Sequence, residues 1–199
     1  MPVSSLRAAL ALIALVMLSA CSVSRDDLTG TPEPLGEFYL GHNIVVAENM
    51  TKGPLSRDAT AAEWEEAVRR AVDDRFSRFD GDKLFHIAIS VDGYILAQPG
   101  IPIVLAPKSA LIFGVTIWDD AAGGKLNDTP HRITVLENLS GASVVGSGLT
   151  STAEEQMERL AFNAARATER WMRENPQWFA VAVVEPILPA VIEVAPLTP

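Results

Sequence analysis

Apolar positions along this chain follow two different periods, and the switches between them mark the elements. From Thr60, with Glu63 three residues on as a capping box, Trp64, Ala67, Val68, Ala71, Val72, Phe76 and Phe79 recur at spacings of three and four. That stripe predicts an amphipathic helix, closed by Asp80-Gly81-Asp82. The charges between these positions, Glu65, Glu66, Arg69, Arg70, Asp73 and Asp74, fall on the outer side and read as a solvated face with i,i+4 pairs. In "LFHIAISV" the period becomes two: Phe85, Ile87, Ile89 and Val91 alternate with His86, Ala88 and Ser90, as in a half-buried strand.

"HNIVVAE" before the helix reads as a first strand. "GYILA", "IPIVLA", "SALIFGVTIW" and "HRITVLE" after it are separated by Gly, Pro and Asp turns, which predicts an antiparallel meander of three or four strands. "DDAAGGKLND" is a loop within it, and "GASVVGSG" offers one more short strand. A second capping box, Thr152 with Glu155, opens a second helix whose stripe is Met157, Leu160, Ala161, Ala164, Thr168 and Trp171, ending at Asn175-Pro176. The tail "AVAVVEPILPAVIEVAPLTP" is apolar, but Glu185, Pro186, Pro189 and Glu193 interrupt it, so it is not a membrane span; an edge strand or an extended arm fits it.

The order strand, helix, several strands, helix predicts an α+β fold: a mostly antiparallel sheet of four to six strands with two amphipathic helices packed on one face. The expected organisation is a signal peptide at 1–20, a lipidated start and flexible tether at 21–39, the α+β domain at 40–179 and the apolar Pro-containing tail at 180–199.

Composition narrows the partners. The 199 residues carry a net charge of −9, and no stretch gathers Lys or Arg on one face. Nucleic acid is therefore excluded as an expected partner, and the folded surface is poorly suited to anionic lipid. Met1–Arg7 holds one positive charge and is followed by the apolar run Ala8–Leu18 and the small residues Ser19 and Ala20, the layout of an export signal too short to span a bilayer. Without residues 1–20 the chain has 15 basic and 25 acidic residues.

Cys21, the lone cysteine, can form neither an internal disulfide nor a Cys-based metal site by itself. Leu18-Ser19-Ala20-Cys21 resembles the lipobox of bacterial lipoproteins. That resemblance implies export, a diacylglyceryl thioether on Cys21, cleavage before it and a further acyl chain on the new amino group. Ser22, where Asp would retain the protein at the inner membrane, implies the inner leaflet of the outer membrane, facing the periplasm. An ordinary secretory peptide cut after Ala20 is the alternative. Together with "ALIFGVTIWDDAAGGKL", "ASVVGSG" and the last helix, the lipobox makes the chain similar to small Gram-negative periplasmic lipoproteins of unknown function, and more loosely to the lipopolysaccharide-assembly lipoprotein. The resemblance implies no catalytic residue.

The candidate chemistry is sparse. Gly146-x-Gly148 precedes a helix N-terminus, but a dinucleotide fingerprint wants Gly or Ala at Ser151 and a P-loop wants a lysine, so strand exit and capping account for it. His42, His86 and His131 lie on different predicted strands, and with Asp119 and Asp120 they make no metal-ligand spacing. Those two aspartates read as turn residues. Ser147 lacks a nucleophile elbow, and the Asn49 and Asn138 triplets have no meaning in a bacterial lipoprotein.

No cofactor, metal or catalytic group is thus expected. Trp178 and Phe179, beyond Pro176, are the expected interaction surface. The leading expectation is a non-enzymatic lipoprotein, held at the membrane by lipid on Cys21, whose domain binds an envelope protein. A carrier with an apolar cavity lined by Phe76, Phe79, Met157 and Trp171 is the second expectation. An envelope hydrolase using Asp119, Asp120 or His131 is the third.

Overall fold

The computed structural model describes residues 28–98, 109–137 and 151–180. In chain order these form β1 (Phe38–Val46), β2 (Thr51–Lys52), α1 (Ala61–Phe76), β3 (Lys83–Ile95), β4 (Ala110–Asp119), β5 (Gly124–Lys125), β6 (His131–Leu136) and α2 (Ala153–Arg173), then a 3-10 turn at Pro176–Trp178. The fold is α+β, with a six-stranded sheet. Strand β4 pairs antiparallel with β3, β5 and β6, whereas β1 and β2 pair with β3 in parallel. The parallel pairing follows from α1, which carries the chain back to the end where β1 began, as a crossover must.

"GYILA" is not a separate strand. It belongs to the 13-residue β3, and the register of β3 on β4 shifts between Val91 and Gly93. The Asp92-Gly93 turn signal therefore marks a bulge inside one strand. The expected strands in "IPIVLA" and "GASVVGSG" lie outside the described residues.

Both capping boxes form. The Thr60 N–H donates to Glu63 Oε2 at 2.7 Å and the Glu63 N–H to Thr60 Oγ1 at 3.3 Å. In α2 the Thr152 N–H donates to Glu155 Oε2 at 3.0 Å and the Glu155 N–H to Thr152 Oγ1 at 3.1 Å. Helix α1 stops at Phe76, with Ser77 as its C-cap, so Phe79 reaches the core from the turn beyond it.

One face of the sheet is covered. Phe85, Ile87, Ile89 and Val91 of β3 and Leu111, Phe113, Val115 and Ile117 of β4 are buried beneath the stripes of the two helices. Ala161, Ala164 and Ala165 of α2 have no exposed surface, and small side chains of this kind let a helix approach its neighbours closely. The helices are also clamped by charge: Glu169 of α2 accepts from Arg75 of α1 at 2.7 Å and from Arg173 at 2.7 Å. The Arg75 side chain is 5% exposed and that of Glu169 16%, so this pair is largely out of water.

The domain starts earlier than expected. Of the predicted tether, residues 28–39 are described, and their last part is packed: Leu35 and Phe38 are buried, and Arg173 Nη2 donates to the Glu33 carbonyl at 2.7 Å. Gly36 turns the chain between them at φ +55, a left-handed conformation that a residue with a Cβ rarely adopts. Polar composition suggested a tether, but two apolar residues either side of a glycine turn anchor this segment.

Candidate functional site

Two of the three residues singled out as sites are described, and the structure corrects the surface they were expected to form. Phe179 is 1% exposed. Its ring packs edge-on against Phe38 and Phe85 with centroids 5.6 and 5.1 Å away, and its carbonyl accepts the Glu37 N–H at 2.8 Å. It is a core residue because the 3-10 turn after Pro176 folds the chain back over the start of β1, which apolarity alone could not indicate. Trp178 is partly buried, its ring edge-on to Trp171 at 5.2 Å. Cys21 lies outside the described residues.

The acid and histidine candidates are dispersed, except for one group. His131 stacks on Trp171 at 4.4 Å, and Asp119 Oδ1 accepts the Ala122 N–H at 3.0 Å, which makes it the turn residue expected. His86 and His42 meet, with ring centroids 4.8 Å apart. His86 Nδ1 accepts the His42 backbone N–H at 2.8 Å, and its Nε2 lies 3.1 Å from Asp120 Oδ1. Accepting at Nδ1 leaves the proton on Nε2, aimed at Asp120. A Cβ on Gly41 would lie 2.5 Å from Nδ1, so the glycine is what admits the ring. The group thus holds the irregular part of β1, between Leu40 and Asn43. Among the described residues no three His, Cys, Asp or Glu side chains are grouped to hold a metal ion.

The larger feature is the face of the sheet opposite the helices. Tyr39, Ile44, Val46 and Leu136 are each about half exposed there, and Leu84, Ile112 and Trp118 are exposed as well. Register places them together: Tyr39 beside Leu84, Ile44 beside Ala88, Val46 beside Ser90, and Trp118 beside His86. Down the middle run small residues, Ala88 and Ser90 of β3 against Thr116 and Gly114 of β4. The result is a face with exposed apolar side chains along β1 and at the ends of β4, and with the Arg132–Asp92 ion pair at 2.9 Å beside Gly114. A solvated sheet face ordinarily alternates to polar residues, so this one has the composition of a contact surface. The sequence held the signal in "NIVV" and "ALIFGVTIW", where apolar residues occupy consecutive positions and therefore both faces.

The four residues expected to line a ligand cavity are packed instead. Phe76, Phe79, Met157 and Trp171 are at most 9% exposed, and Phe76 and Phe79 both contact the Phe38 ring at 5.8 Å. An open cleft of about 260 Å³ lies elsewhere, where Glu33, Gly36, Arg173, Pro176 and Ala180 meet.

These features define a helix-backed sheet module with one face packed by the helices and, among the described residues, the other open. No family model matches the chain, and no curated protein matches it. Among solved structures it is similar to protein XCC0632 from Xanthomonas campestris, described as DUF330, at 14% identity and a TM-score of 0.40, covering 74% of this chain and 94% of that one. A candidate lipoprotein from Caulobacter crescentus CB15 matches at 13% identity and a TM-score of 0.33, over 68% and 89% of the two chains. A minor lipoprotein from Acinetobacter baumannii matches at 14% and 0.27, over 67% and 93%. At these identities and scores the likenesses record a similar chain path and transfer no function.

Proposed function

We propose that this chain is a membrane-anchored, non-enzymatic lipoprotein whose α+β domain serves as an interaction or assembly module in the bacterial envelope. The observation that carries the module reading is the set of exposed apolar side chains Ile44, Val46, Leu84 and Trp118 on the open face of the sheet. The lipobox at Leu18–Cys21 supports the anchor, and Ser22 favours the inner leaflet of the outer membrane. The polar groups first considered for chemistry are engaged in holding turns, strands and rings, which favours this reading over the hydrolase. Close packing at Phe76, Phe79 and Met157 likewise favours it over a carrier with its ligand between sheet and helices.

The test has two parts. Cys21→Ser leaves uncleaved, unlipidated precursor that no longer fractionates with membranes; normal membrane fractionation and processing would overturn the anchor. Paired Ile44→Ser and Trp118→Ser substitutions leave fractionation and melting unchanged but remove the envelope adduct that wild type forms on cross-linking in cells. An adduct formed equally by both proteins would overturn the open face as the contact surface.

A further inference from the structure

The N-terminal segment enters the domain at one pole of the sheet, where β1 and β3 begin and β4 ends. Arg78, just beyond α1, donates to the Gly30 carbonyl, and Arg173, the last residue of α2, donates to the carbonyls of Glu33 and Pro34. The chain is thus fastened to the domain almost from Leu28, and only the seven steps from Cys21 to Leu28 link this pole to the anchor. Fully extended they reach about 25 Å, whereas the 13 residues of β3 run about 43 Å toward the opposite pole. An anchored domain therefore keeps this pole toward the bilayer. Its exposed large apolar side chains, among the described residues, are Tyr39, Leu84 and Trp118. Tyr39 pairs with Leu84, and Leu84 stands two residues before His86, which pairs with Trp118, so the three are neighbours on the open face.

We propose that Tyr39, Leu84 and Trp118 rest against the headgroup region of the bilayer that holds Cys21, and that the lipid they meet is zwitterionic. Tyrosine and tryptophan combine an apolar body with a polar tip, which suits the boundary between headgroups and acyl chains. Lys125, exposed beside Trp118, adds a cation on a flexible stem for a lipid phosphate. Carboxylates select the headgroup: Asp80, Asp82 and Asp120 are exposed around the same pole and repel a negatively charged surface. Ile44, Val46, Ile112 and Leu136 lie farther along the strands from the anchor and are left for a protein partner. This inference rests on the lipid anchor at Cys21, and it adds that the open face is divided between lipid and partner.

The experiment places the photo-cross-linker p-benzoylphenylalanine at position 84 of the full lipidated chain, held on phosphatidylcholine vesicles, with position 136 as the distant control. The expected product is a phospholipid adduct about five times as abundant at 84 as at 136, undiminished at high salt and not increased when phosphatidylglycerol is mixed in. Brominated phosphatidylcholine is expected to quench the tryptophan emission of wild type about three times as strongly as that of Trp118→Phe, with both proteins melting alike. Equal lipid adducts at the two positions, adducts to protein alone, a requirement for phosphatidylglycerol or equal quenching would overturn the proposal. Only chain already held on vesicles is illuminated, so failure here leaves the membrane fractionation of Cys21→Ser unaffected and the two readings fail separately.

Discussion

His86 Nδ1 accepts the backbone N–H of His42 at 2.8 Å, tying β3 to the irregular stretch of β1 through a side chain where the strand ladder is interrupted. The bond replaces a missing ladder contact. His86→Ala is expected to lower stability by about 1–2 kcal/mol. Asp120→Asn, which alters only the half-exposed end of the group, costs less than about 1 kcal/mol. Urea unfolding of both variants checks this; equal losses would show that the His86–Asp120 hydrogen bond holds the bulge.

Phe179 closes the aromatic cluster of Phe38, Phe76, Phe79 and Phe85 from the far end of the chain. Phe179→Ala should destabilise by about 3–5 kcal/mol. Gly36→Ala acts on the same contact, because its Cβ would stand 2.1 Å from the Phe179 carbonyl oxygen, at φ +55. A loss of more than about 1 kcal/mol is expected there, read as a lowered melting temperature.

Glu169 accepts from two arginines in a largely dry seam between the helices. Its removal breaks the 2.7 Å ion pair of Arg75, whose side chain is 5% exposed. Glu169→Ala is predicted to cost about 3 kcal/mol. By contrast, Glu66→Ala, which breaks exposed contacts to Arg69 and Arg70, costs at most about 1 kcal/mol. Chemical denaturation of the two variants under one condition measures the contrast.

Glu63 supplies a pH dependence whose sign is fixed. The hydrogen bond from the Thr60 backbone N–H, followed by the one from the Thr60 hydroxyl, holds its carboxyl below the ordinary value of 4.5. A folded pKa below the unfolded one means that the stabilisation is fully present above about 4.5 and is lost as pH falls through the lower folded value. Wild type should therefore exceed Glu63→Gln in stability at pH 7, with the gap narrowing below pH 4.5; a gap that widens on acidification would refute the assignment.

Local rules revealed much of the fold. Thr60/Glu63 and Thr152/Glu155 located both helix starts, and the alternation from Phe85 to Val91 identified the buried side of β3. The parallel pairing of β1 with β3 was hidden because period-two patterning is the same for either strand direction. Asp92-Gly93 misled for a related reason: a bulge and a hairpin use the same residues. The apolar open face was legible only as a departure from alternation, since Ile44, Val46 and Trp118 come to share it through pairing across the sheet. Phe179 was the hardest to place: whether an aromatic after Pro176 is bare or buried depends on Phe38 and Phe85, far earlier in the chain.

The 2.8 Å bond from Glu37 N–H to the Phe179 carbonyl joins the first and last parts of the packed chain at one pole. Any pull on the chain upstream of Leu35, as from a surface-held N-terminus, enters the domain at that clasp before it reaches the ladder of β1 and β3. That clasp, together with the bonds from Arg173 to the Glu33 and Pro34 carbonyls, thus stands between such a pull and the strand ladder.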